Sequence, residues 1–334
     1  MGFRFLFGII TANLLLQGSC APNSYVANMP VFEFFKSLDI NSMARLLAYK
    51  NRFMKPKRNT RPQLVGEWEY NKINKKWPER LAVYGYGIAD IQARGDGSCM
   101  FNTLSIIFRT EGITKEKIRQ NIDKTMPQGI HNGIMAITSK GDFLEPIELK
   151  RISIISFFGC DPDVPESYAH YNHDHLLQEI GKIAESEWYA NEEAMKLLGN
   201  SRAPITEGWD VKKTYDELRT GTNQREAALA LFRTLEKALQ DRWGDYLDLN
   251  LLERYLGFKG ITFGHENTVI GCGEIQRDLN PKFFVTIYYF KECHFDVAGL
   301  FNLDEQAPVK PKSLFRPEEI PVALAILMTD DCKL

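Results

Sequence analysis

The most informative stretch of the chain is RGDGSCMFN, residues 94–102. Its glycines predict a tight turn, and the apolar side chains that follow recur at helical spacing: Phe101, Leu104, Ile107 and Phe108. The turn therefore brings Cys99 to the start of a helix, where backbone N–H groups and the helix dipole favour a nucleophilic thiolate. N–H groups of the same turn are suited to hold an oxyanion. The alternative is an ordinary turn followed by a buried cysteine.

The composition is that of an ordinary globular protein. The chain has 334 residues, of which 44% are hydrophobic and 25% charged, and this length allows one large domain or two smaller ones. A net charge of −2 argues against a general nucleic-acid binder, and no aromatic side chain interrupts the basic run from Lys55 to Arg61. The six cysteines include no CxxC pair, so neither a zinc ribbon nor a redox dithiol is indicated.

Residues 1–21 resemble a secretory or targeting segment. Phe3 to Leu16 is almost wholly apolar and has Arg4 as its only charged residue, and small residues follow from Gly18 to Ala21. The apolar run is shorter than a transmembrane helix requires. The alternative is a buried or membrane-associated N-terminal helix, and this segment is the one route by which we expect contact with a membrane.

Periodicity and turn signals organise the rest of the chain. Residues 22–80 form a mainly helical extension, and residues 303–334 a C-terminal tail. Amphipathic helices are predicted at 114–122, 176–183 and 228–239, a glycine-bounded helix at 243–257, and strands at 258–263 and 283–289. Residues 127–165 give no clear pattern, and we place His131 in a glycine-rich loop there.

His294 is the best candidate for a base that activates a cysteine. It follows an aromatic strand and precedes Phe295-Asp296. On an extended chain, residues two apart point to the same side, so Asp296 faces the imidazole of His294. A carboxylate on one ring nitrogen fixes the tautomer and orients the other nitrogen towards a thiol. The alternative is a histidine at a strand edge that is linked to Asp296 for stability.

A second group of histidines, His170, His173 and His175, has the clustering that would be expected of a metal site. No Cys or Glu stands beside it at the spacing of a metal-binding motif, so we predict no metal.

Three motifs together resemble the ovarian tumour (OTU) family of cysteine proteases, which are mostly deubiquitinases. They are DGSCMF at 96–101, WGDYLDL at 243–249 and HFD at 294–296, and they occur in the family's order. The resemblance covers residues 82–128 and 240–302. It implies an α+β fold of the papain-like cysteine protease superfamily, in which helices flank a small, mostly antiparallel central sheet. Residues 130–240 would be a large helical insertion.

The resemblance implies a role for each matching residue. Cys99 is the nucleophile, His294 the general base and acid, and Asp296 the residue that orients His294. Asp96 holds the turn, and the backbone N–H groups of Asp96, Gly97 and Cys99 form the oxyanion hole. The expected substrate-binding side chains are Phe101, Trp243 and Phe295, which together with the 283–289 strand would line a narrow groove for the two C-terminal glycines of ubiquitin.

The sequence departs from the family pattern at three places. Asn102 stands where an arginine is usual, Phe295 stands where tyrosine is commoner, and the 130–240 block is longer than in minimal members. We expect that block to bind ubiquitin as an arm, the alternative being a structural lobe. Such insertions resemble those of bacterial effectors of the family, notably from Legionella.

The expected activity is hydrolysis of isopeptide bonds at the ubiquitin C-terminus, with no metal and no cofactor. The partners are ubiquitin or polyubiquitin chains, and ubiquitinated host proteins if the chain is an effector. We favour secretion into a host cell, with the eukaryotic cytoplasm as the alternative. Two other functions stay open: an inactive ubiquitin-binding protein that keeps the OTU fold, and a papain-like hydrolase acting on a ubiquitin-like modifier.

Overall fold

The computed structural model describes residues 62–70, 76–95, 98–184, 211–237, 244, 246–264, 269–270, 281–290, 294–321, 323–324 and 327. Residues 1–61 are not among them, so the expected targeting segment and most of the predicted 22–80 extension lie outside the described residues. Asp96, Gly97 and Trp243 lie outside them as well. The chain forms two compact units, residues 1–92 with 258–334 and residues 93–257. The predicted division into an OTU-like core and an insertion remains a prediction.

The first unit is built on one open sheet. Its strands are β1 (Glu69–Tyr70), β2 (Tyr86–Ile91), β3 (Phe258–Phe263), β4 (Val269–Ile270), β5 (Phe283–Phe290), β6 (His294–Asn302) and β7 (Leu314–Phe315). The order is β1-β2-β6-β5-β3-β4, with β7 also paired to β5. All described pairs are antiparallel except β3 with β5, which run parallel.

One face of this sheet is covered by helix α1 (Lys76–Ala82) and by the C-terminal segment. Trp77 is fully buried, donates its indole N–H to the carbonyl of Gly264 at 2.8 Å, and meets the Phe263 ring edge-on. Leu81, Ala323 and Leu324 complete this layer. The apolar stretch near the C-terminus thus packs as core against the sheet.

The second unit is helical in its described part. It contains α2 (Cys99–Thr110), α3 (Lys115–Asn121), α4 (Gln128–Thr138), α5 (Pro146–Phe158), α6 (Pro165–Tyr168), α7 (His173–Ala184), α8 (Val211–Thr220), α9 (Gln224–Lys237) and α10 (Tyr246–Leu256). The amphipathic helices expected at 114–122, 176–183 and 228–239 correspond to α3, α7 and α9.

Helix α5 lies among the other helices of this unit. Its side chains from Ile152 to Phe158 are all buried. Arg151 binds Asp161 at 2.7 Å and Asp163 at 2.6 Å, and it also contacts Glu236 of α9. Hydrogen bonds from Arg233 and Arg151 lower the pKa of Asp163 to about 2.

The protein is therefore a mixed α and β chain with an open mixed sheet, which agrees with the predicted α+β class. Among the described helices, none has both the length and the apolar composition needed to cross a bilayer.

Candidate functional site

Cys99 is the first residue of α2, as the sequence predicts. The chain leaves β2 at Ile91, and the first helical turn closes with a hydrogen bond of 2.8 Å from the N–H of Asn102 to the carbonyl of Ser98. The Cys99 side chain is buried and is not part of a disulfide. Because Asp96 and Gly97 lie outside the described residues, the oxyanion hole remains a prediction.

The first turn of α2 is packed tightly against Gly244, which precedes α10 in the chain. A Cβ atom placed on Gly244 would lie 2.7 Å from Met100 Cε, 2.9 Å from Met100 Cβ and 2.9 Å from Phe101 Cε2. Only glycine permits this approach. The structure therefore gives Gly244 a function that the sequence motif did not reveal: it lets the backbone at residue 244 lie against the two residues that follow Cys99.

Two further contacts hold the helices around this turn. Asp248, near the start of α10, is fully buried and accepts a hydrogen bond from the Ser153 hydroxyl of α5. Lys150 of α5 lies with its ammonium nitrogen 5.7 Å from the centre of the Phe101 ring. The positions of α2, α5 and α10 are thus linked through side chains that are buried within one unit.

Phe101 and Phe295 were expected to bind substrate. Phe101 is completely buried, and Phe295 is 2% exposed with its ring centre 4.7 Å from that of Tyr289. Both side chains therefore pack inside their own units. Their contact with substrate remains a prediction, as does that of Trp243, which lies outside the described residues.

Asn102 is a position at which the sequence departs from the OTU pattern that it resembles. Its side-chain amide lies 3.5 Å from the carbonyl of Arg94, which joins the first turn of α2 to the preceding loop. This contact is at the outer limit of a hydrogen bond, so it orders the loop only weakly.

His294 and Asp296 form the pair that the HFD motif predicts. His294 begins β6, and its Nε2 lies 2.9 Å from Oδ1 of Asp296. The His294 side chain is 30% exposed and that of Asp296 only 3%. A carboxylate only accepts hydrogen bonds, so the neutral imidazole carries its proton on Nε2 and has its lone pair on Nδ1. The pair can orient the ring and stabilise an imidazolium.

The other histidines have structural contacts. His173 bonds to the Tyr171 hydroxyl at 2.9 Å and to the carbonyl of Leu218 at 3.0 Å, and His175 bonds to the carbonyl of Ser156 at 3.0 Å. Within the described ranges, no three His, Cys, Asp or Glu side chains are grouped so that they could hold a metal ion.

The loop that we predicted around His131 is wrong. His131 lies within α4. A Cβ on Gly129 would meet the carbonyl oxygen of Gly159 at 2.5 Å and Cys160 Cβ at 2.9 Å. The glycines of this segment allow a helix to pack closely against its neighbours, and they do not form a turn. Sequence alone does not distinguish these two uses of glycine.

Sequence reasoning also missed two neighbours of the His–Asp pair, Asp90 and Tyr288. Both are buried, and both lie on strands that flank β6. The alternation of side chains along β2 and along β5 can be read from the sequence. The strand register that brings Asp90 and Tyr288 near Asp296 cannot.

Comparison with known proteins gave no match: no family model, no curated protein and no solved structure is similar to this chain.

Proposed function

We propose that this protein is a thiol-dependent deubiquitinase with an OTU-like, papain-type catalytic core. The observation that carries the proposal is the hydrogen bond between His294 Nε2 and the buried carboxylate of Asp296, in which the ring presents Nδ1 as its base. The position of Cys99 at the start of α2 supports it as well.

The proposed reaction uses these three side chains. Cys99, as its thiolate, attacks the carbonyl carbon of the last ubiquitin glycine and forms a tetrahedral oxyanion. The imidazolium of His294 gives its proton to the leaving lysine amine, and the C–N bond breaks to leave a thioester on Cys99. His294 then takes a proton from water, whose hydroxyl adds to the thioester. Free ubiquitin leaves and the thiolate returns.

Asp296 acts in this scheme through His294. In both proton transfers the imidazole changes charge, and a carboxylate at 2.9 Å favours the charged form while it fixes the ring. Loss of Asp296 is therefore expected to slow turnover less than loss of Cys99 or His294. The proposed substrate is ubiquitin or a polyubiquitin chain, and no cofactor takes part in this scheme.

The experiment that tests this function is hydrolysis of a ubiquitin conjugate with a fluorogenic C-terminal amide. We expect the wild-type chain to release the fluorophore and Cys99→Ala to release none. Cys160→Ala is the matched control, because burial raises the pKa of the Cys160 thiol to about 12 and keeps it protonated. Equal loss of activity in both variants would contradict the assignment of the nucleophile.

Two other outcomes distinguish the alternative functions. Hydrolysis of a conjugate of a ubiquitin-like modifier, with none of the ubiquitin conjugate, would indicate a different tail as substrate. Saturable binding of ubiquitin without any hydrolysis would indicate a binding protein rather than an enzyme.

A further inference from the structure

A second buried carboxylate lies on the same face of the sheet as the His294–Asp296 pair. Asp90 on β2 pairs with Ala298 on β6, and Ala298 is two residues from Asp296. Directly opposed residues of antiparallel strands share a face, and so do alternate residues of one strand. Asp90 is 3% exposed and Asp296 2%. The two carboxylates are therefore diagonal neighbours, with Cα atoms about 7–8 Å apart.

Asp90 also affects the pKa of Tyr288, which lies beside Asp296. Tyr288 is fully buried and is the direct cross-strand partner of Asp296. Burial raises the pKa of Tyr288 well above its ordinary value, and the charge of Asp90 raises it further. The small side chain of Ala298 stands between them on β6. Asp90 and Tyr288 thus influence each other across β6, on a buried face of the sheet.

The position of Asp90 has a consequence for His294. Ala298 is four residues further along β6 than His294, which corresponds to about 13 Å along the strand. Over this distance, at an effective dielectric constant of about 20, a unit charge changes the pKa of another group by up to about one unit. Two buried negative charges on one face therefore both favour the imidazolium.

Other titratable groups of the described residues also lie on the strands and on helix α1. Glu69 is opposite Asp90 on β1 and is exposed to solvent. The remaining described titratable groups on the strands and on helix α1 are, in chain order, Tyr70, Lys76, Glu79, Arg80, Tyr86, Lys259 and Tyr289, of which Lys259 is buried.

We propose that Asp90 is a positioning residue for the candidate base, and that its buried negative charge favours the imidazolium of His294 and hence the thiolate–imidazolium state of the enzyme. The catalytic meaning of this inference rests on the proposed function. The electrostatic coupling between Asp90 and His294 does not, and it can be measured separately.

The test is an NMR titration of His294 in the full chain with isotope-labelled histidine. We expect Asp90→Asn to lower the pKa of His294 by about half to one unit relative to wild type. Glu69→Gln is the matched control: it removes a charge from the cross-strand neighbour of Asp90, but that charge is exposed and screened, so we expect a shift of less than about 0.2 unit. Equal shifts in the two variants, or none in Asp90→Asn, would overturn the inference.

A second measurement needs no variant and so does not depend on whether Asp90→Asn folds. The carboxyl carbon of Asp90 in the labelled wild-type chain must show an ionised group at neutral pH, and the His294 signals must shift as Asp90 titrates. A neutral carboxylic acid at Asp90 at that pH would overturn the inference.

Activity measurements separate this inference from the proposed function. Both limbs of the pH profile of ubiquitin conjugate hydrolysis should move to lower pH in Asp90→Asn, because loss of a buried negative charge disfavours protonated forms, and Glu69→Gln should leave them in place. A chain that hydrolyses no conjugate but keeps the NMR coupling would refute the function alone. An active chain with an unchanged His294 titration would refute the role of Asp90 alone.

Discussion

Replacing Gly244 with alanine should disturb the helix that carries Cys99. The new Cβ would lie 2.7 Å from Met100 Cε and 2.9 Å from both Met100 Cβ and Phe101 Cε2. The end of the Met100 side chain can rotate away from the new Cβ. The contacts with Met100 Cβ and with the buried Phe101 ring can be relieved only if the backbone at Gly244 or the first turn of α2 moves. Insertion of a methyl group into such packing costs about 1–3 kcal/mol.

The expected effects are measurable in two assays. A cost of this size lowers the midpoint of thermal unfolding by roughly 2–10 °C in a unit of about this length. Displacement of Cys99 by up to about 1 Å should slow ubiquitin conjugate hydrolysis by about 10- to 100-fold at a temperature where the variant is folded. Thermal unfolding followed by circular dichroism and initial rates at 25 °C provide the two values.

Gly181→Ala is the matched control for Gly244→Ala. Gly181 lies within α7 of the same unit, where a Cβ would meet Tyr215 at an ordinary contact distance of 3.4 Å. Alanine in a helix interior is favoured over glycine by about 0.5–1 kcal/mol, so this variant should be as stable as wild type or more so, with unchanged activity. The reasoning is refuted if Gly244→Ala behaves like Gly181→Ala.

Three further predictions concern single residues. Trp77→Phe should lower the free energy of unfolding by about 1–3 kcal/mol in chemical denaturation, because it leaves the Gly264 carbonyl without its indole donor; an unchanged midpoint would contradict this. Asp163 has a pKa of about 2 against 3.8 for the unaltered group, so its contribution to stability is present above about pH 4 and is lost as the pH falls towards 2. Asp163→Asn should abolish that part of the acid-induced loss of stability. An unaltered dependence of the free energy of unfolding on pH would contradict the role of its hydrogen bond with Arg233. Asp296→Asn should slow conjugate hydrolysis by at least about 10-fold without unfolding the chain, and full activity would exclude it from the mechanism.

The elements that the sequence predicts well have one apolar side or a clear boundary. Helices α7 and α9 each bury one stripe, and α10 ends at Leu256, just before Gly257, whose φ of +72° suits glycine. Strands β3 and β5 are confirmed at nearly the expected residues, because aromatic and β-branched side chains fill them.

Helix α5 was not predicted, for a physical reason. From Leu149 to Phe158 every residue except Arg151 is buried, and the buried residues include Lys150, Ser153 and Ser156 as well as the apolar side chains. Without an exposed face the apolar residues show no helical period, so the pattern of residues 146–158 is compatible with either a helix or a strand.

The candidate site was predictable only where it depends on neighbours along the chain. The contact between His294 and Asp296 follows from alternation within one strand, and the position of Cys99 follows from a glycine turn before an apolar helix. The contributions of Gly244, Asp90 and Tyr288 depend on tertiary packing and on strand register. These arise from segments far apart in sequence, so no local pattern encodes them.

We propose above all that Cys99 is a nucleophile that His294 activates towards the C-terminus of ubiquitin. The most direct measurement is reaction of the full chain with ubiquitin that carries a C-terminal electrophile, with the modified peptide located by mass spectrometry. We predict one covalent adduct, on Cys99, that is absent in Cys99→Ala and forms at least about 100-fold more slowly in His294→Ala. No adduct on the wild-type chain, or an adduct rate that is unchanged in His294→Ala, would contradict the account.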